Sequence, residues 1–176
     1  MSYEIDLKIA PELLAVMRQM VGMATEQLKQ APNSLPALHE DDPEMEYFWQ
    51  EDLQAALSND LELFQRTLAE GGLGEQPIKL EEAELEGLVR ACSAIRVKVR
   101  ETALKSISDE TLEYSDIDLL KQPLEVQQAY SFYLFLSAIQ SAFISYLDPE
   151  SNPWFSDEDE DEDDEDYDWE EFDEED

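Results

Sequence analysis

A chain of 176 residues with 45 acidic and 11 basic side chains has a formal net charge of −34. That charge works against broad, direct contact with nucleic acid, because phosphate binding relies on Lys and Arg displacing counterions. Cys92 is the only cysteine, which excludes a disulfide within the chain, and the length suits one domain with a sizeable core.

The first residues, MSYEIDLKIAP, offer neither a basic n-region nor an apolar h-region, so no secretory signal is expected and the predicted compartment is the cytoplasm. From Tyr3 to Ile9 apolar and charged residues alternate strictly, the pattern of a half-buried strand. Its partner is either the short stretch Gln76 to Leu80 or nothing, in which case the segment lies extended across the helices. Pro11 opens helix one, since proline loses nothing at the first helical position by lacking an N–H, and the helix should run to about Gln30. Leu13, Val16, Met17, Met20, Ala24 and Leu28 form its expected inward stripe. Met17, Met20 and Met23 read as core packing on the same spacing, or as a soft, adaptable binding surface.

A proline-containing connector, APNSLPALHEDD, follows. Asp42 is the expected N-cap of helix two, with Pro43, Glu44 and Glu46 suited to the positive end of the helix dipole. Helix two should reach about Glu70, with a kink near Ser58 and Asn59 and a buried face of Trp49, Leu53, Ala56, Leu57, Leu61, Phe64 and Leu68. The glycines of Gly71 to Gly74 end it. Helix three is polarised along its length: Glu81, Glu82, Glu84 and Glu86 begin it, and Arg90, Arg96, Lys98, Arg100 and Lys105 follow. Leu85, Leu88, Cys92, Ile95 and Val99 give its apolar stripe. Ser108 and Ser115 are candidate caps for one or two short helical turns.

Pro123 to Leu147 is apolar around almost the whole helix, with no charge after Glu125. Such a helix is buried by protein or by lipid. The 19 uncharged residues from Ala129 to Leu147 reach the lower limit for a membrane span, but Ser131, Ser137, Gln140, Ser141 and Ser145 dilute them. The expectation is therefore no membrane and a central helix enclosed by the other three. The strips Ser137, Ser141, Ser145 and Ala138, Ala142 would let a neighbour approach closely. The predicted fold class is all-α, roughly a four-helix bundle with a central apolar C-terminal helix and a short N-terminal extended segment. It forms a domain over residues 1–149, followed by an acidic tail over 150–176.

Of the 20 residues from Asp157 to Asp176, 17 are acids, leaving 28 acids against 11 bases in the body. So many like charges predict a tail that is disordered in isolation. Trp154, Phe155, Tyr167, Trp169 and Phe172 interrupt the run, which reads either as a short motif for a basic partner or as a solubilising tail. Arg90, Arg96, Lys98, Arg100 and Lys105 are the candidate anion-facing or tail-facing residues; the structural alternative is pairing with acids on neighbouring helices.

Three pieces of the chain, LPALHEDDPEMEYFWQEDL from Leu35 to Leu53, LEEAELEGLVRACSAIRV from Leu80 to Val97, and the spaced set Tyr133, Leu136, Ile139, Gln140 and Phe143, together resemble the bacterial domain of unknown function numbered twenty-seventeen. Asp41, Asp42, Pro43 and Glu44 match its acidic-proline helix start. The resemblance implies an all-helical cytoplasmic protein with no assigned activity. Members often neighbour the adaptor of the Clp protease, an association that hints at regulatory work. The chain departs from the pattern after Arg96, where the family's second arginine stands further along than Arg100, and in its acid tail.

Catalytic signatures are sparse. His39 is the only histidine and lies in the connector, so a Glu-x-x-His di-iron scheme fails, with Pro36 where the glutamate would be. Cys92 falls on the apolar stripe, where a thiol packs rather than reacts, and no phosphate loop, zinc spacing or EF-hand loop occurs. These observations predict no cofactor, no metal and a non-enzymatic interaction or regulatory module that binds a protein with a basic surface, or folds its tail onto its own basic helix. The alternatives are an acidic mimic that competes with nucleic acid for its binding protein, and a carboxylate-based enzyme.

Overall fold

The computed structural model describes residues 1–30, 43–69, 72–113 and 117–149. Over these the chain is mostly helical: β1 (Ser2–Ile5), α1 (Pro11–Gln30), α2 (Pro43–Thr67), β2 (Ile78–Glu81), α3 (Glu82–Glu101), α4 (Asp109–Glu113), a 3-10 turn (Leu119–Lys121) and α5 (Leu124–Leu147). Prolines do mark the helix starts, Pro11 and Pro43 as first residues and Pro123 just before α5.

The N-terminal strand finds its partner in the stretch before α3. β1 and β2 are antiparallel, with Tyr3 opposite Leu80 and Ile5 opposite Ile78. Ile5 and Leu80 turn into the core, which is what ties so short a ladder down. The ladder stops at Ile5 because β2 has only four residues, yet Leu7 and Ile9 continue to pack against the core. Gly74, with φ at +90°, brings the turn before β2 against Ile9: an added Cβ would stand 3.0 Å from the Ile9 side chain, so glycine is needed there for both conformation and space.

The hub of the molecule is α3, which corrects the expectation of a central C-terminal helix. α3 packs against α1, α2, α5 and β2, whereas the packing of α5 is concentrated on α3. The physical reason lies in the small residues beside the α3 stripe. Gly87 and Ala91 are buried along with Leu85, Leu88, Cys92, Ile95 and Val99, so helices can close on α3 from more than one side. α5 buries Ala129, Tyr130, Phe132, Leu136, Ile139 and Phe143 and leaves Ser131, Leu134, Ala138, Ser141 and Ile144 exposed. Of its small-residue strips, Ala138 and Ser141 face outward, while Ser137, Ala142 and Ser145 are half-buried. α5 is the one helix among the described residues long and apolar enough to cross a membrane by length and composition, with a mean hydropathy of 1.2; here its outward stripe mixes serine and alanine with Leu134 and Ile144.

Two other faces differ from expectation. α1 buries Leu14, Met17, Val21 and Ala24, while Leu13 and Val16 are exposed. Its apolar arc is wide enough for two stripes, and the core took the one shifted by a residue. In α2 the face is buried from Leu61 through Phe64 to Leu68, but Leu53 and Ala56 are exposed and Trp49 and Leu57 half-buried. At about 1.5 Å per residue, this 25-residue helix outruns the 20-residue α3 that it packs on. Past α3, Leu104 and Ile107 plug the connection into the core, and the Ser108 hydroxyl accepts the Thr111 N–H at 3.1 Å, capping α4 as anticipated. The caps expected at Asp42 and Ser115 lie outside the described residues.

Candidate functional site

The cations of α3 do not form a single patch, because its arginines are drawn to different elements. Arg90 forks onto Asp60 of α2, with Nε 2.8 Å from Oδ2 and Nη2 3.1 Å from Oδ1, and the hydrogen bonds to Asp60 raise its pKa above the ordinary arginine value. Arg100 pairs with Asp109 at 2.6 Å and donates to the Leu104 carbonyl at 3.0 Å, which folds the segment after α3 back onto it. Arg96 is different, for no carboxylate meets it among the described residues. It donates to Gln140 Oε1 at 2.7 Å and to the Tyr133 hydroxyl at 3.0 Å, and its guanidinium carbon lies 4.6 Å from the centre of the Tyr133 ring.

Gln140 extends that cluster, donating to Ser93 Oγ at 2.6 Å, while Ser93 donates to the Val89 carbonyl at 3.1 Å. The result is a polar chain across an otherwise apolar α3–α5 seam, in which a cation is held by a ring face and neutral acceptors. Lys98 is half-buried and Lys105 exposed, and neither forms an ion pair among the described residues. Trp154, Phe155, Tyr167, Trp169 and Phe172 lie outside the described residues, as does His39.

Cys92, one turn before Arg96 on α3, is fully buried. Burial pushes its thiol up to about 12, against a smaller opposing pull from Arg96, so the sulfur stays protonated at neutral pH and is no nucleophile. No group of three or more His, Cys, Asp or Glu side chains that could hold a metal occurs among the described residues.

A second feature emerges from the outer stripe of α1. Two adjoining hollows, of about 400 and about 480 Å³, share Met20 and Met23 in their walls and together make a cleft beside α1. Val16 and Leu124 stand at its mouth, 51% and 67% exposed, and Met23 is 52% exposed, whereas Met17 at its floor is 3% exposed. Gln127 and Gln128 of α5 supply amides, and the larger hollow reaches Val99 of α3 and Thr102 just past its end. No charged residue lines either hollow, although acids are the commonest surface residues of this chain. The methionines thus divide: Met17 is core, Met20 half-buried, Met23 surface. The signal in the sequence was the second apolar stripe, Leu13, Val16, Met20 and Met23, running beside the one that packs inward.

Arg18, unremarked in the sequence, is also placed by α1. It donates to the Leu68 and Ala69 carbonyls just past the end of α2 and pairs with Glu75, a cation at the negative end of a helix dipole.

Comparisons with family models, with curated proteins and with solved structures match nothing to this chain.

Proposed function

We propose that this protein is a non-enzymatic interaction module of the cytoplasm whose acidic-aromatic tail engages another protein with a basic surface. The observation that carries the reading is the fate of the α3 arginines. Arg90, Arg96 and Arg100 are each engaged inside the fold, by Asp60, by Tyr133 with Gln140, and by Asp109. That leaves Lys98 and Lys105 on this helix and its following turn to attract 17 tail acids, a poor balance for a tail folded on its own domain. A separate basic partner meets the charge better, and a net −34 steers such a partner in from a distance.

The test compares the full chain with a chain ending at Pro149 as baits in native extract. Basic proteins retained by the full chain and lost by the shortened one, with retention weakening steeply as salt rises, are the expected outcome. An unchanged set of bound proteins would remove the tail from the account.

A further inference from the structure

We infer that the methionine-lined cleft between α1 and α5 is a docking groove for a basic amphipathic helix of the partner. The inference deepens the interaction-module reading and rests on it. Along α1 the lining extends from Val16 to Gln27, about 16 Å at the helical rise, or three turns of a guest helix. Its walls mix aliphatic and thioether side chains with the uncharged amides of Gln19, Gln27, Gln127 and Gln128, and methionine adapts to varied apolar guests without fixed rotamers. An amphipathic helix laying its apolar face into such a groove is an established recognition mode.

Charge decides which helix fits. Glu12, one turn before Val16, Glu26, one turn after Met23, and Glu125, beside Leu124, are all exposed. None has an ion pair among the described residues. These acids border an uncharged floor, so a guest gains by carrying lysine or arginine on the flanks of its apolar face. On α3 and the turn after it the neighbouring charges are mixed, Lys98 and Lys105 with Glu101, so the pull comes from α1 and α5. The chain's own tail would bring its acids to this acidic border, and a second copy would bring another −34; both are repelled.

Labelled methionine methyl groups report on the groove directly, because Met20 and Met23 line it and Met45 does not. The full chain is titrated with a leucine/lysine peptide of about 14 residues patterned as an amphipathic helix. Two controls accompany it, a peptide of the same composition scrambled to have no apolar face, and a leucine/glutamate counterpart. The expected result is movement of the Met20 and Met23 signals with the first peptide alone, while Met45 stays. In a Val16→Gln, Met23→Gln chain the affinity for that peptide falls by about tenfold or more, and Glu12→Gln, Glu26→Gln, Glu125→Gln lowers it severalfold at low salt only. Unmoved Met20 and Met23 signals, or an equal response to the scrambled peptide, would overturn the groove. So would a response to the glutamate peptide or to removal of residues 150–176, which would make the tail the occupant, and so would movement on concentrating the protein alone, which would make it a second copy. Salt-sensitive binding of the scrambled peptide reads the acid tail, so the groove and the tail succeed or fail separately.

Discussion

Along α3, helix α5 is sealed: Leu136 and Phe143 are fully buried, and Arg96, Tyr133, Gln140 and Ser93 lace the two helices together. Along α1 the same helix stands away, and between them lies a cleft floored by methionine with no hydrogen bond across it among the described residues. Both seams are built from apolar residues, so hydrophobicity does not distinguish them. What does is complementarity: one seam pairs large buried side chains with a polar fork that joins the two helices, and the other offers flexible thioethers and side-chain amides that do not bridge it. The first seam holds the fold, and the second is free to hold something else.

The largest effect should come from emptying the sealed seam. Phe143→Ala removes a fully buried ring at the α3–α5 contact and should cost about 3 to 5 kcal/mol in denaturant unfolding. A loss below about 1 kcal/mol would mean the seam collapses around the void or was never tightly packed. Next comes Arg96→Met, which keeps length and apolar bulk but strips Gln140 and Tyr133 of their donor; about 2 kcal/mol is expected. Arg96→Lys should recover only part of it, because an ammonium cannot fork to two acceptors while lying against a ring. A double-mutant cycle with Gln140→Leu checks the link, and additivity within about 0.3 kcal/mol would show that the two residues act independently.

Cys92 sharpens the comparison through pH. Its thiol is held up to about 12 in the fold, against 9.0 for a free thiol. Below pH 9 the thiol is protonated in both states and costs nothing. Between pH 9 and about 12 the unfolded chain releases a proton that the folded chain keeps, so the unfolded state binds fewer protons and stability falls as pH rises, by about 1.4 kcal/mol per unit. Cys92→Ala should flatten this alkaline slope, measured as the urea midpoint against pH. Native protein at pH 8 should also resist thiol reagents until it unfolds, and prompt labelling would place the sulfur nearer water than the sealed seam allows.

Much of this architecture was readable before any coordinates. Pro11, Pro43 and Pro123 placed the helix starts because proline's fixed φ and missing N–H suit few other places, and the α3 stripe from Leu85 to Val99 emerged as read because charges leave that helix a single apolar face. The hub was misplaced because hydropathy measures how apolar a helix is, not how many neighbours reach it; Gly87 and Ala91, small and buried, decided that. The polar seam was hidden for a related reason. In a linear reading Arg96 is one of five candidate anion-facing cations and Tyr133 and Gln140 belong to the apolar helix, and 37 and 44 positions separate the partners of Arg96 from it. The cleft is half visible: three methionines stand at helical spacing, but which stripe of α1 turns outward depends on where the first turns of α5 lie, and no local pattern encodes that.

The smallest effect separates the two stripes of α1 most cleanly. Met17 and Met23 share a helix and a side chain, differing in that one is 3% and the other 52% exposed. Met17→Ala should cost about 2 to 3 kcal/mol, whereas Met23→Ser, like Val16→Ser, should change stability by less than about 0.5 kcal/mol, read from paired urea curves. A free surface tolerates the loss of an apolar side chain because the unfolded chain exposes that side chain too. If Met23→Ser instead destabilised the protein as much as Met17→Ala, the outer stripe would be covered in the isolated molecule, and α1 would have no face left to offer a partner. A near-zero change at Met23 beside a large one at Met17 would show that this helix spends one apolar stripe on its own core and keeps the other uncommitted.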